Sequence, residues 1–285
     1  MNKFTSCCIA VLAAAFLCSE EKGMEAAGLE KVNFSGYTWD VKHTGSEFTW
    51  GPGPNHWSRD HVKVDDEGRL HMKIDRQDNQ WYSSEVSTTE TLGYGAYSFQ
   101  VDLSIAIDKN AVLGLFTYDM QSEDAVQAEH REIDMEFTKW GLESNHNSYY
   151  TVQPYIKEEN QCVFTIREEA AEPTVHSFTW TPEEIVFRSA TTGGRLLQTW
   201  TYSGEDIPDS QNEKVHINLW LFQGKGPSNN QPVEMVISDF TFTPAEENDQ
   251  EPKTSEENQA EEERKAHPSQ NRGNNGLKNG NGPFK

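Results

Sequence analysis

The sequence has few cysteines, a deficit of positive charge and no long apolar run beyond its first residues. Of its 4 cysteines, Cys7, Cys8 and Cys18 lie near the start, so only Cys162 remains for a folded domain and a disulfide within that domain is excluded. No CxxC or HExxH pattern occurs, which argues against a zinc site. Walker A, GxGxxG and GxSxG patterns are absent as well. We therefore expect no catalytic cofactor.

Positive charge is scarce, because 24 Lys and Arg stand against 46 Asp and Glu and give a formal net charge of −22 at pH 7. This balance argues against nucleic-acid binding through a basic surface and against an anionic membrane partner. Apolar runs after the N-terminal segment are too short to span a bilayer. We expect a monomer with neither a nucleic-acid partner nor a transmembrane segment.

The first 19 residues have the pattern of an export signal. Lys3 precedes an apolar run over residues 9–17, and polar residues follow it. The run is too short for a transmembrane helix. We expect an exported protein, secreted or periplasmic, with the cleavage site left open. Lipid attachment at Cys18 is an alternative, although Phe16 and Leu17 stand where small residues are expected.

Short strands dominate residues 30–244. Around fourteen of them recur at roughly 8–12-residue spacing, separated by Gly, Pro, Asn and Asp, without an amphipathic helix of about ten residues. This pattern predicts an all-β fold of two packed antiparallel sheets, a β-sandwich or jelly roll. Residues 245–285 are first Glu-rich and then Asn- and Gly-rich. They predict a disordered tail or spacer rather than a second domain, with a binding segment as the alternative.

One stretch, residues 132–136, is unusually acidic for a strand. Side chains alternate faces along a strand, so Glu132, Asp134 and Glu136 share one face, roughly 7 Å apart at Cα, and the apolar residues between them share the other. Like charges at that spacing oppose each other's ionisation and push their pKa values apart. The stretch is either a solvent-exposed acidic edge strand or a carboxylate pair for nucleophilic and acid catalysis with a third carboxylate between them.

The sequence Glu-Ile-Asp-Met-Glu at 132–136 resembles the E-x-D-x-E signature of glycoside hydrolase family 16, which includes laminarinases, licheninases and xyloglucan endotransglycosylases. Segments 93–97 (GYGAY), 176–180 (HSFTW) and 217–220 (INLW) are also similar to conserved segments of that family. The resemblance covers about residues 32–244. It implies a jelly roll whose concave sheet carries a glycan cleft, and cleavage of β-glucans or related polysaccharides with retention.

The same resemblance implies a role for each carboxylate: Glu132 as nucleophile, Glu136 as acid/base, and Asp134 as the group between them that tunes the nucleophile. Residues i and i+4 of a strand are roughly 13 Å apart at Cα. Their side chains can still lean together to the roughly 5–5.5 Å that retention requires. Sequence alone leaves the wider inverting separation open, and the resemblance favours retention.

Further residues are predicted to bind substrate. Glu85 stands where licheninases carry a substrate-binding Glu, with a solvent-facing strand residue as the alternative. The 8 Trp residues indicate a large core or an aromatic-lined cleft. Trp50 and Trp57 are candidate platforms for sugar rings, unless one of them fills the end of the core. His130 stands where licheninases carry Trp, as in the xyloglucan transglycosylases. The remaining candidates for the cleft floor are Gln153, Asn218 and Trp220.

Asp239 resembles the Asp of the structural calcium site of licheninases, and Gly68 resembles a backbone ligand of that site. Oxygen ligands of this kind suit calcium, and a plain surface Asp is the alternative. The sequence as a whole predicts a retaining, endo-acting hydrolase of β-linked polysaccharide, with β-1,3 or mixed-linkage glucan favoured. The alternatives are a non-catalytic, lectin-like glycan-binding module and a transglycosylase acting on β-glucans.

Overall fold

The computed structural model describes residues 30–102, 107–120, 131–167 and 172–245. The predicted signal at 1–19, His130 and the tail from residue 246 onward lie outside these ranges. The chain divides into two units, Met1–Ala245 and Glu246–Lys285, and only the first contains described residues. Within the described part, no helix has the length and apolar character needed to cross a membrane.

The described residues form sixteen β-strands in two antiparallel sheets, which confirms the predicted all-β sandwich. The strands are β1 (Lys31–Phe34), β2 (Tyr37–Val41), β3 (Val62–Val64), β4 (Leu70–Gln77), β5 (Gln80–Tyr82), β6 (Ser84–Thr88), β7 (Gly95–Val101), β8 (Ala111–Tyr118), β9 (Ile133–Phe137), β10 (Ser148–Val152), β11 (Gln161–Phe164), β12 (Thr174–Trp180), β13 (Ile185–Thr191), β14 (Leu196–Tyr202), β15 (Lys214–Leu221) and β16 (Val233–Pro244). Short 3-10 turns occupy Arg59–His61, Glu158–Asn160 and Phe222–Gly224.

The first sheet has the strand order β1-β2-β6-β15-β8-β9-β10-β11. The second has the order β14-β13-β12-β7-β16-β4-β3, with β5 beside β4. In the first sheet β15, from late in the chain, lies between β6 and β8. This topology places the acidic strand β9 and the strand of Glu85, β6, in one sheet, with β15 and β8 between them.

Strand alternation explains where the main core sits. Leu113 and Leu115 on β8, with Met135 and Phe137 on β9, are 0% exposed and face the second sheet. Burying such a side chain stabilises the fold by about 1.5–3 kcal/mol. The alternate residues of these strands point to the other side of the first sheet, which we call the carboxylate face because Asp134 and Glu136 lie on it.

Local backbone geometry sets two of the strand boundaries. Ser35 and Gly36 adopt positive φ angles of 51° and 82° and reverse the chain between β1 and β2, which form a hairpin. Strand β10 ends at Val152. Pro154 follows closely and has no N–H to donate to a neighbouring strand.

Candidate active site

The acidic strand β9 lies inside the first sheet, between β8 and β10. The alternative of an exposed acidic edge strand is therefore wrong. Glu132 immediately precedes β9, and its carbonyl oxygen accepts a hydrogen bond of 3.1 Å from the Gln153 backbone N–H. The ladder between β9 and β10 thus extends to Glu132, so that all three carboxylates are anchored by backbone pairing.

Asp134 is the most enclosed of the three acids, with 3% of its surface exposed. Its Oδ2 accepts a hydrogen bond of 3.0 Å from Gln153 Nε2, and its carboxyl group also hydrogen-bonds with Glu132. Burial raises the pKa of Asp134 to about 7, although both hydrogen bonds oppose the rise.

Glu136 is partly exposed on the same face, between Gly114 of β8 and Tyr149 of β10. Burial, and then the charge of Asp134, raise the pKa of Glu136 well above its ordinary value. Burial and the charge of Glu136 also raise the pKa of Tyr149 to about 12. The raised pKa favours the protonated form of Glu136, which is the form that a general acid requires.

A buried ion pair braces the start of the acidic strand. Arg131 Nη1 lies 2.8 Å from Oδ2 of Asp119, whose side chain is 0% exposed. Thr117 Oγ1 adds two hydrogen bonds of 3.3 Å, donating to the Arg131 carbonyl and accepting from the Ile133 N–H. These contacts join the end of β8 to the start of β9 and fix the backbone on both sides of Glu132.

A row of residues crosses the carboxylate face from Glu136. Gly114, Asn218 and Glu85 follow it in register on β8, β15 and β6. Because Gly114 has no side chain, Asn218 leans over it, and a Cβ added at Gly114 would lie 2.5 Å from Asn218 Oδ1. Asn218 itself is 2% exposed, so its side chain is buried in this face; that it lies in the floor of a substrate cleft stays a prediction.

Glu85 is 5% exposed, so the alternative of a solvent-facing strand residue is wrong. Its Oε2 lies 2.9 Å from Lys42 Nζ, and its Oε1 lies 3.1 Å from His216 Nδ1. Burial acts to raise the pKa of Glu85, but Lys42 and His216 outweigh it and hold the pKa at about 2. Glu85 is therefore ionised at neutral pH, and its pKa is shifted in the opposite direction to that of Glu136.

The two early tryptophans differ in exposure. Trp57 is 0% exposed, so the prediction that it offers a face to a sugar ring is wrong; it packs instead in a small apolar cluster apart from the main core. Trp50 is partly exposed. Lys42 Nζ lies 4.9 Å from the Trp50 ring centroid and 4.2 Å from that of Trp57. Lys42 thus joins the early loop to Glu85.

Trp220 was predicted to lie in the cleft floor, and only 5% of it is exposed. It packs in a small apolar cluster apart from the main core, with its ring centroid 6.1 Å from that of Trp140. The cluster also contains Trp57, Val112 and Phe222. Trp220 therefore packs beneath the carboxylate face and offers little surface to a ligand, because its neighbours cover the ring.

The other predicted residues lie in several places. Gln153 reaches Asp134 as described, but from the loop after β10 rather than from a strand. Asp239 is exposed on β16 and accepts a 2.9 Å hydrogen bond from Ser35 Oγ. The β4–β16 pairing ends near Asp239 and Gly68, with Ile237 opposite Leu70. Within the described ranges, no group of three or more His, Cys, Asp or Glu side chains is arranged to hold a metal.

Sequence reasoning missed Lys42 and His216. The sequence did contain a signal for His216. It lies two positions before Asn218 and four before Trp220 on β15, so the three side chains share one face. No sequence signal pointed to Lys42, because its contact with Glu85 depends on the pairing of β2 with β6.

A sandwich with three carboxyl groups on and directly before one interior strand, two of them with raised pKa values, defines a site for acid-assisted glycoside cleavage. The model of the family described as "Glycosyl hydrolases family 16" matches residues 53–238. The chain belongs to this family and is a glycoside hydrolase. A search of the curated proteins found no match.

Several solved structures share the fold. A β-1,3-1,4-glucanase (lichenase) derived from a mouse hindgut metagenome is 19% identical, with a TM-score of 0.54, over 73% of this chain and 93% of that one. The laminarinase from Flavobacterium sp. UMI-01 is 14% identical, with a TM-score of 0.56, over 72% and 92%. A structure described under endo-acting O-glycanases that initiate mucin breakdown in the human gut microbiota is 16% identical, with a TM-score of 0.54, over 76% and 95%. At these identities the likeness is one of fold.

Proposed function

We propose that the protein is an endo-acting, retaining hydrolase of β-linked glucans, with β-1,3 or mixed-linkage chains as its substrates. Family membership supports hydrolysis of a glycosidic bond. The lichenase and laminarinase among the structural neighbours favour glucans over other polysaccharides. The acidic strand supports the mechanism.

In the proposed mechanism Glu136 gives its proton to the glycosidic oxygen while Glu132 attacks the anomeric carbon. The bond to the leaving sugar breaks and a glycosyl-enzyme forms on Glu132. Glu136, now ionised, takes a proton from water, and the oxygen of that water displaces Glu132. Two inversions give net retention, and both carboxyl groups return to their starting states.

The single observation that carries this proposal is the arrangement around Asp134. Its carboxyl group hydrogen-bonds with Glu132 and with the Gln153 amide, and both bonds favour its ionised form. Its negative charge in turn raises the pKa of Glu136. One residue thus contacts the proposed nucleophile two positions before it and favours the protonated form of the proposed acid two positions after it.

A panel of polysaccharides tests the proposal. Laminarin, lichenan, xyloglucan, agarose and carrageenan are each incubated with the folded protein and with Glu132→Gln, and new reducing ends are measured with the size of the products. We expect laminarin or lichenan to yield oligosaccharides early, and Glu132→Gln to yield none. Failure to cleave any of the five contradicts the hydrolase proposal, and cleavage of agarose or carrageenan alone contradicts the choice of glucans.

We also propose a structural calcium ion held by the Asp239 carboxylate and the Gly68 carbonyl, since both supply the oxygen ligands that calcium takes. The ion would stabilise the end of the β4–β16 pairing and take no part in the reaction. Raising calcium in a chelator-treated sample should raise the unfolding temperature, and Asp239→Asn should remove the increase. Equal unfolding temperatures with and without calcium would reject the site. Export by residues 1–19 remains a proposal that N-terminal sequencing of the secreted protein tests.

A further inference from the structure

Two buried polar atoms without a hydrogen-bond partner belong to residues two positions apart on β15, whose side chains share the carboxylate face. They are His216 Nε2 and Asn218 Oδ1, from residues that are each 2% exposed. Across the described ranges only two further buried side-chain atoms share this condition, on His61 and Ser84. An unpaired buried polar group is costly and needs an explanation. Because the two residues share one face of β15, a single explanation can apply to both unpaired atoms.

The tautomer of His216 follows from its contact with Glu85. The Glu85 carboxylate is ionised, so the His216 Nδ1 that lies 3.1 Å from it carries the hydrogen and donates. In the neutral ring the other nitrogen, Nε2, is then a bare acceptor. Lys42 holds the far oxygen of Glu85 at 2.9 Å. The chain from Lys42 through Glu85 to His216 therefore fixes the direction of an acceptor that has no partner of its own.

Ring packing fixes the plane of the imidazole as well. Phe116 on β8 stacks on His216 with centroids 5.0 Å apart and planes at 26°, and Tyr118 meets its edge at 90°. Asn218 occupies the space that Gly114 leaves open, and a larger residue there would collide with its Oδ1. The imidazole acceptor is thus held in position before a ligand arrives, which lowers the entropic cost of binding.

We propose that His216 is a substrate-binding residue whose Nε2, beside Asn218 Oδ1, accepts hydrogen bonds from hydroxyl groups of a neutral hexose. This deepens the proposed function and rests on it. Only β8 separates β15 from β9, so the two backbones are roughly 10 Å apart. The sugar at His216 is therefore not the ring that reacts, and the contact adds affinity and specificity.

The chemistry of the pair selects against charged sugars. A sulfate or carboxylate group offers only acceptor oxygens, and it would face two acceptors and the ionised Glu85. A hydroxyl group can donate to either acceptor. The site therefore favours neutral glycans over sulfated or uronic ones.

The test measures binding in the inactive Glu132→Gln background by calorimetry, with laminaritetraose and a mixed-linkage glucan tetrasaccharide as neutral probes and a carrageenan tetrasaccharide as the sulfated probe. His216→Asn keeps an amide N–H near the position of Nδ1 and loses the acceptor at Nε2. His216→Gln instead places an amide carbonyl near Nε2. His71→Asn, the same change on the outer face of the second sheet, is the matched control.

We expect His216→Asn to weaken binding of at least one neutral probe by about tenfold, His216→Gln to recover most of it, and the control to leave it unchanged. Asn218→Ala removes the second acceptor and leaves the contact between Glu85 and His216 intact. It should also weaken binding about tenfold, and it replaces His216→Asn in the test if that variant fails to fold. Unchanged affinity in folded His216→Asn and Asn218→Ala would show that only water occupies the site and would overturn the proposal. So would binding of the carrageenan probe as tight as that of the neutral ones, or no binding of a neutral probe.

The two proposals fail separately. Wild-type protein that cleaves glucan while His216→Asn binds normally would reject the inference alone. Wild-type protein that cleaves none of the polysaccharides would reject the proposed function, whatever the binding result.

Discussion

The carboxylate face holds two buried acidic sites that behave in opposite ways. At the acidic strand, burial raises the pKa of Asp134 to about 7 and that of Glu136 well above its ordinary value. Three strands away on β6, Glu85 is about as enclosed as Asp134, yet its pKa is lowered to about 2. The protein therefore raises the pKa of acids at one site and lowers that of an acid at another on a single sheet.

The partners make the difference. Glu85 contacts the Lys42 ammonium and the His216 ring. Asp134 contacts an amide and another carboxyl group, which stabilise its charge less. Burial alone would raise all three pKa values. The comparison teaches that the opposite pKa shifts on this face, raised at one side and lowered at the other, are set by where the cation is placed.

The largest effect on activity should come from replacing a carboxylate by an amide, and it should differ between the two sites. Glu136→Gln removes the proton donor and should lower kcat/KM on polysaccharide by about 10²–10⁴-fold. Glu85→Gln leaves the reacting groups in place and should act mainly on KM. Steady-state kinetics on a soluble glucan separates the two. An equal loss of kcat in both variants would mean that the two sites do not differ in role.

Removing the cation should destabilise the fold next most strongly. Lys42→Met leaves the buried Glu85 without its ammonium partner and should cost about 3–5 kcal/mol of the free energy of unfolding. The double variant Lys42→Met/Glu85→Gln should recover part of this loss, because no unpaired charge remains. Denaturant unfolding monitored by Trp fluorescence measures both, and a double variant as unstable as Lys42→Met would contradict the account.

The acidic strand should be visible in the pH dependence of stability. The raised pKa of Asp134 means that the folded state binds more protons than the unfolded one between about pH 4 and pH 7. Stability contributed by this group is therefore present at low pH and lost as pH rises through that window, by at most about 1.4 kcal/mol per pH unit.

Asp134→Asn should flatten this slope and gain stability relative to wild type above pH 7, while its activity falls. Unfolding midpoints at several pH values provide the measurement, with Asp40→Asn, on the outer part of the same sheet, as the control. A wild-type curve that rises from pH 4 to 7, with no change in the variant, would be inconsistent with a buried, protonated Asp134.

Trp50 should give the smallest effect. It is partly exposed and near Lys42 Nζ at 4.9 Å, a contact worth about 0.5–1 kcal/mol at such a site. Trp50→Ala should lower stability by about that amount and weaken binding of glucan oligosaccharides. Trp57→Ala, in the packed cluster, should instead cost about 3–5 kcal/mol. Similar losses of stability at both positions would contradict the assignment of Trp50 to the cleft.

The sequence predicted those features that depend on local pattern. Alternation was sufficient to place Asp134 and Glu136 on one face and their apolar neighbours in the core, and the spacing of short strands was sufficient for the sandwich. The features it did not predict depend on pairings distant in sequence. Lys42 is 43 positions from Glu85, and His216 is 131 positions from it. The burial of Trp57 depends likewise on Val112 and Trp220, which belong to other strands.

The central claim, that Glu132 is the nucleophile and Glu136 the acid/base, is tested most directly by azide rescue on an activated aryl glycoside of a glucan oligosaccharide. Glu136→Gln should still form the glycosyl-enzyme, because a good leaving group needs little protonation, and azide should release it as the β-glycosyl azide. Glu132→Gly should give the α-azide, because azide then attacks directly from the vacated side. NMR of the products assigns the anomers. The opposite pair of anomers would exchange the two roles, and full activity in either variant without azide would place the site elsewhere.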